Sequence, residues 1–241
     1  MVLVDPARRS GGEDRIRIQQ TLKLSPLFER VSRATRDAAI DAAQVDVVPG
    51  GTLLIEQGST PQALLVLGRR GRARIERTAA DGRVVPLGYR GRGDVLGESC
   101  LGRAKKHSES AITMEETEVV RIPLSAVHEF FAEDPAMGPA VLGLLLTRQR
   151  ETEERIESML FRNVEARLCE FLLKAADRWG VPTPKGTLVS APITHLEIAQ
   201  AIGSTRETVT LTLGTLRRAG LLDVAGRRLI VADREALSMR Q

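Results

Sequence analysis

Residues 193–222, ITHLEIAQAIGSTRETVTLTLGTLRRAGLL, run from Ile193 to Leu222 and decide the reading of this 241-residue chain. They divide into two short amphipathic segments joined at Ile202-Gly203-Ser204. In the first, Leu196, Ile198, Ala199 and Ile202 share an apolar face. In the second, Val209, Leu213 and Leu216 recur at helical spacing. Gly203 suits a turn that needs a positive φ, and Ser204 or Thr205 offers a hydroxyl to cap the second helix. The first turn of that helix leaves Thr205, Arg206, Glu207 and Thr208 facing outward. In a helix-turn-helix, those N-terminal side chains are aimed at base edges in the major groove. Arg206 can donate bidentately to guanine, and Glu207 can accept from the amino group of cytosine. Thr210 and His195 complete the candidate DNA face.

Working outward, Arg217 and Arg218 lead into Leu221-Leu222-Asp223-Val224, then Ala225-Gly226-Arg227-Arg228 and Leu229-Ile230-Val231. Two apolar runs around a glycine-containing polar turn predict a β-hairpin. Here the hairpin would be a basic wing, with Arg227 and Arg228 placed to touch phosphate.

Composition agrees with a nucleic-acid partner. The chain carries 35 Lys and Arg against 31 Asp and Glu, a net charge of +4. From Val164 to Gln241 there are 11 Lys and Arg against 8 Asp and Glu, so most of the excess lies in the predicted reading third. Thirty arginines to five lysines suggest a GC-rich genome. No apolar run approaches the length of a membrane span, and Met1–Gln20 has no apolar core of a signal peptide. The expected location is therefore cytoplasmic, with no membrane partner. Cys100 and Cys169 stand far apart, and His107, His128 and His195 are scattered, so neither a disulfide framework nor a metal site is expected. No Ser-His-Asp spacing and no phosphate-cradling Gly-Lys-Ser/Thr loop occurs. An enzyme is not expected.

Between Val45 and Phe131 the texture changes. Short apolar runs (Thr52–Ile55, Ala63–Leu67, Ala73–Ile75, Val84–Leu87 and Val119–Ile122) alternate with Pro49-Gly50-Gly51, Gly58-Ser59, Asp81-Gly82 and Arg90-Gly91-Arg92-Gly93. Short strands with closely spaced turns predict an antiparallel barrel or roll, with Asp81-Gly82 marking a hairpin. Between Pro135 and Phe161, the positions Leu142, Leu145, Gln149, Thr152, Ile156 and Met159 fall at spacings of three and four. That is a heptad seam, the mark of a dimerising helix. The remaining face, including Arg148, Arg150, Glu151, Glu153, Glu154, Arg155 and Glu157, reads as solvated.

The glycine spacing, the motif Gly93-Asp94-Val95-Leu96-Gly97-Glu98 and the downstream helix-turn-helix together resemble the bacterial family of the cyclic-AMP receptor protein and the fumarate–nitrate reduction regulator, over about Leu24 to Val231. The resemblance implies an α+β chain with an N-terminal antiparallel β-roll like those that bind cyclic nucleotides, a long dimerisation helix and a C-terminal winged helix-turn-helix. The corresponding divisions are a flexible tail over 1–20, a sensor domain over 21–134, the dimerisation helix over 135–162 and the DNA-binding domain over 163–241. It further implies a homodimer on a palindromic operator with a TGTGA-like half-site, and RNA polymerase as a partner. The helix over 135–161, with its Phe161-Arg162-Asn163 hinge, would be the bistable element if a ligand gates the protein.

The resemblance also directs attention to an effector site. Members that bind cyclic nucleotide use a Glu on the ribose, an Arg-Ser pair on the phosphate and a polar residue of the long helix on the base. Glu98, between Gly97 and Ser99, matches the first, and Thr152, with Gln149 beside it in the seam, matches the last. The phosphate position is instead Glu109-Ser110. A carboxylate there removes a charge-assisted bond and adds like-charge repulsion, about 1–3 kcal/mol each and together about two decades of affinity. Cyclic AMP is accordingly expected to bind weakly or not at all. Arg103, Lys105, Lys106 and His107 lie just before Glu109 and offer replacement charge. With them a cyclic nucleotide or a cyclic dinucleotide is an open effector, as is none. Redox sensing through Cys100 would need an activated thiol. At the operator, Leu211 stands where the receptor protein has a second reading Arg, which should relax the preference there or favour a thymine methyl.

Overall fold

A computed structural model describes residues 11–69, 71–102, 104–190, 193–226 and 228–241. Two residues named above, Arg103 and Arg227, lie outside the described residues, as do the Cys100 side chain and the first ten positions. The chain forms two compact units, Met1–Arg148 and Gln149–Gln241. The boundary falls inside the long helix instead of at its two ends, where the sequence reading had put it. Met137, Ala140 and Val141 cause the shift, because the first turns of that helix are buried in the core of the first unit.

The first unit opens with α1 (Gly12–Leu22), α2 (Pro26–Glu29) and α3 (Arg33–Ala42). The expected loose tail is therefore helical from Gly12 onward. Ile18 and Leu22 bury their side chains in the core, and Arg17 and Thr21 both donate to the Glu118 carboxylate. Eight strands follow among the described residues: β1 (Gln44–Val48), β2 (Leu53–Ile55), β3 (Ala63–Leu67), β4 (Ala73–Thr78), β5 (Val84–Arg90), β6 (Val95–Leu96), β7 (Ser110–Thr113) and β8 (Thr117–Pro123). They pair antiparallel in two sheets, in the orders β1-β8-β3-β6 and β2-β7-β4-β5. The expected hairpin is β4–β5, and its turn glycine, Gly82, has φ +82°.

β3 shows why the fold closes. All five of its residues are buried. Leu64 and Val66 join Phe28, Ile40, Ile122 and Phe130 in a core under the helices, while Leu65 and Leu67 join Leu54, Ile75 and Leu96 in a core between the sheets. A strand covered on both faces reads as an unbroken apolar run, and that is what Ala63–Leu67 shows in the sequence. α4 (Leu124–Glu133) and α5 (Met137–Phe161) follow β8. The Asp134 carboxylate between them accepts from the Ser32 N–H at 2.8 Å, the Thr35 hydroxyl at 2.6 Å and the Ala136 N–H at 2.9 Å, tying α3 to the start of α5.

The second unit holds the remainder of α5, then α6 (Val164–Trp179), β9 (Gly180–Thr183), β10 (Gly186–Val189), α7 (His195–Ile202), α8 (Arg206–Arg218), β11 (Leu222–Ala225), β12 (Arg228–Val231) and α9 (Arg234–Ser238). Asn163 caps α6 by accepting from the Ala166 N–H, and Ala166, Cys169, Leu172, Ala176 and Trp179 form its buried stripe. β11 and β12 are the expected wing, and they extend into a four-stranded sheet, β11-β12-β10-β9. Among the described residues, no helix is long and apolar enough to cross a membrane.

Candidate nucleic-acid interface and sensor site

α7 and α8 are positioned by local chemistry. Thr194 and Glu197 form a reciprocal capping box at the start of α7. Gly203 ends that helix at φ +64°, a conformation that a side chain disfavours, and so turns the chain into α8. Thr205 caps α8 by accepting from the Thr208 N–H at 3.2 Å. Ile198, Ala199, Ile202, Val209, Leu213 and Leu216 are buried as expected. Leu196 is the exception at 52 % exposed. It stands two residues before Ile198, about 200° round the helix, and so faces away from the buried side.

The outward face sorts the candidate DNA-binding residues into two groups. Thr205 and Thr208 bond each other's hydroxyls at 2.9 Å within the cap. The Thr210 hydroxyl donates to the Arg206 carbonyl and lies 2.8 Å from His195 Nδ1, which links the two helices. These three threonines and His195 therefore hold the motif together. Arg206 and Glu207 are exposed on the first turn and have no side-chain partner among the described residues. Arg217 and Arg218 are exposed on the last turn, where cations also favour the helix dipole, and Arg228 is exposed at the start of β12.

In the first unit, Gly97, Glu98 and Ser99 lie at and just inside a short 3₁₀ turn, Glu98–Leu101, that follows β6. The Glu98 carboxylate is paired with the guanidinium of Arg148, which also donates to the Val95 carbonyl. Their side chains are only 11 % and 16 % exposed. Arg148 thus departs from the solvated face assigned to it. The spacing held a signal that the heptad reading passed over: Arg148 precedes Thr152 by four, so both lie on one side of the helix.

His107 also differs from the open loop expected. It is 7 % exposed, its ring lies 3.2 Å from Ser99 Oγ, and its backbone exchanges bonds with Gly58 and Ser59. Burial pushes its imidazole below the ordinary value, against an opposing pull from Glu109. Lys105 and Lys106 are exposed and remain on the loop surface. Glu109 is met by a residue that the sequence reading missed. Arg77 of β4 donates to the Ser108 carbonyl at 3.0 Å and holds its guanidinium 3.9 Å from the Glu109 carboxylate. Register alone could have found it, since β4 pairs with β7 and runs past Ser110. The Ser110 hydroxyl accepts from the Gln57 N–H at 3.0 Å. Both carboxylates of the site therefore face an arginine of this same unit.

Along the seam, Leu142 and Leu145 are exposed in the first unit, and Gln149, Thr152, Ile156 and Met159 in the second. Leu146, Leu160 and Phe161 widen the exposed apolar set.

Residues 45–134 match the family model of the cyclic nucleotide-binding domain, and residues 166–240 that of the Crp-like helix-turn-helix domain. The chain is 27 % identical over 223 residues to a CRP-like cAMP-activated global transcriptional regulator of Mycobacterium tuberculosis, covering 92 % of this chain and 99 % of the relative. It is 30 % identical over 173 residues to the global nitrogen regulator of a Synechocystis species, covering 71 % and 77 %. Among solved structures, a CRP-family transcriptional regulator of Thermus thermophilus aligns with a TM-score of 0.67 at 26 % identity, over 81 % of this chain and 95 % of that one.

Proposed function

This chain belongs to the CRP/FNR family of DNA-binding transcription regulators, and on that premise we propose that it acts as a homodimer on a palindromic, TGTGA-like operator without ordinary cyclic-AMP gating. The observation that carries the DNA reading is the pair Arg206 and Glu207, exposed at the start of α8 and without a side-chain partner among the described residues. An Arg donates two parallel bonds to guanine, and a Glu accepts from cytosine. Arg217 and Arg228 supply phosphate contacts, and the protein acts in the cytoplasm on transcription by RNA polymerase.

Dimerisation is supported by the exposed apolar positions Leu142, Leu145, Ile156 and Met159. They recur at the spacings of a coiled-coil seam, which buries such a stripe against a second copy. Gln149 and Thr152 are the polar positions of that seam and set its register. Two copies would then present their α8 helices about one DNA turn apart.

The absence of ordinary cyclic-AMP gating is supported by the arginine on Glu98 and the carboxylate of Glu109 at the phosphate position. A second reading, gating by a cyclic nucleotide or cyclic dinucleotide, is favoured by the domain match over 45–134 and by the similarity to the cAMP-activated mycobacterial regulator. It requires the ligand to displace Arg148 from Glu98.

Two measurements test these proposals. Duplexes selected from a random pool by the full-length protein should show a two-fold-related site. Arg206→Ala should lose about 1–3 kcal/mol and its guanine preference, while Arg217→Ala weakens all sequences alike and lowers the salt slope by about one. Guanine preference that survives in Arg206→Ala refutes the assignment. Calorimetry with cyclic AMP should give no sub-micromolar affinity, and tight binding would establish the second reading.

A further inference from the structure

The outward line of α8 holds more than the pair that reads guanine and cytosine. Glu207, Leu211, Gly214 and Arg218 follow one another at intervals of four, three and four, a single stripe opposite the buried Val209, Leu213 and Leu216. Leu211 is 73 % exposed, more than any other large apolar side chain of α7, α8 or the wing.

Gly214 is the second observation. A glycine inside a helix is less favourable than alanine. A Cβ built at Gly214 would meet only the far end of Arg218, at 3.7 Å, which is ordinary contact. The fold therefore does not require this glycine. The space beside Gly214 is open, and a missing side chain there lets another surface come close to the helix backbone. The neighbouring threonines agree with a reading surface poor in free donors. Thr210, Thr212 and Thr215 donate their hydroxyl protons to the carbonyls of Arg206, Thr208 and Leu211.

We infer that Leu211, with Gly214 allowing close approach, reads the C5-methyl group of a thymine in the half-site, next to the base pair contacted by Arg206 and Glu207. In the major groove that methyl is the one apolar feature distinguishing a T·A pair, and an aliphatic side chain is its natural complement. This inference rests on the placement of α8 in the major groove, so its test separates the two.

The experiment uses full-length protein and fluorescently labelled duplexes taken from the random-pool selection, with each thymine replaced in turn by deoxyuridine. That change removes only the methyl. Wild type should lose about fourfold in affinity at one thymine of each half-site, the factor expected for one buried methyl. Leu211→Ala should bind the thymine and uracil duplexes equally at that position while keeping its guanine preference. Gly214→Ala should unfold at a higher temperature than wild type yet bind DNA several-fold more weakly. If no thymine responds in wild type, or the response persists in Leu211→Ala, Leu211 does not read a methyl. Undiminished binding by Gly214→Ala refutes the close approach. A guanine preference that survives in Arg206→Ala, or failure to select any site, instead overturns the placement of α8 and this inference with it.

Discussion

Arg148 rests its guanidinium on the carboxylate of Glu98, so the acidic residue of the sensor's glycine motif is already satisfied by the protein itself. The pair is largely withdrawn from solvent, and Arg148 spends a further bond on the Val95 carbonyl. Such a charge-assisted contact is stronger than one in water, and stranding either partner is costly. It also sets a threshold for any ligand that would use Glu98, which must first replace Arg148.

Removal of one partner should therefore destabilise the sensor unit. Glu98→Gln and Arg148→Ala are each expected to lower unfolding stability by about 1–3 kcal/mol. The double variant should cost less than the sum of the two, and urea denaturation of all four proteins measures the coupling. Strict additivity would mean that the pair contributes nothing.

At the neighbouring carboxylate, Glu109→Arg exchanges repulsion of a phosphate for a charge-assisted bond. The variant should bind cyclic AMP about tenfold or more tightly than wild type by calorimetry. Unchanged heats would show that the pocket is filled or closed for reasons other than the charge at position 109.

Acid should loosen the helical clamp at Asp134. Donation from the Thr35 hydroxyl, the Ser32 N–H and the Ala136 N–H holds its carboxyl far below the ordinary 3.8. The folded protein thus keeps the anion at a pH where the unfolded chain is already taking up the proton. The resulting stability is complete above about pH 5 and declines as pH falls below it. Asp134→Asn should be less stable at neutral pH and show a shallower loss between neutral and acid conditions. Urea midpoints measured down this pH range would decide it, and parallel curves for the two proteins would remove Asp134 from the account.

Cys169 should be chemically silent in the native protein. Burial, with help from Glu165 and against Arg240, pushes its thiol up to about 11, so the nucleophilic thiolate is scarce at pH 8. Iodoacetamide should label it in urea and leave it unlabelled in buffer. Prompt native labelling, mapped to Cys169 by mass spectrometry, would show that α6 opens readily.

Periodicity carried the strongest part of the sequence reading. The helix-turn-helix, the wing, the strand Ala63–Leu67 and the Asp81-Gly82 hairpin were legible because each follows from chemistry within a few residues. A capping threonine, a turn glycine or an apolar repeat needs no distant partner to act. Helix α1 was missed for the opposite reason. Its first turns are polar, and only packing of Ile18 and Leu22, with the bonds from Arg17 and Thr21 to Glu118 about a hundred positions away, makes it a fixed element.

The same division holds for function. The order of residues along α8 determined by itself that this chain presents Arg206 and Glu207 outward, because a 3.6-residue period places side chains without reference to the rest of the fold. What occupies the sensor's carboxylates was a tertiary decision. Arg148 stands 50 positions from Glu98, and Arg77 stands 32 from Glu109. Strand pairing and the burial of Met137, Ala140 and Val141 bring each arginine to its carboxylate. Charges so far apart in the chain meet only once the sheets have closed and the long helix has docked, so local spacing shows at most the side of the helix on which Arg148 lies and not the carboxylate it meets.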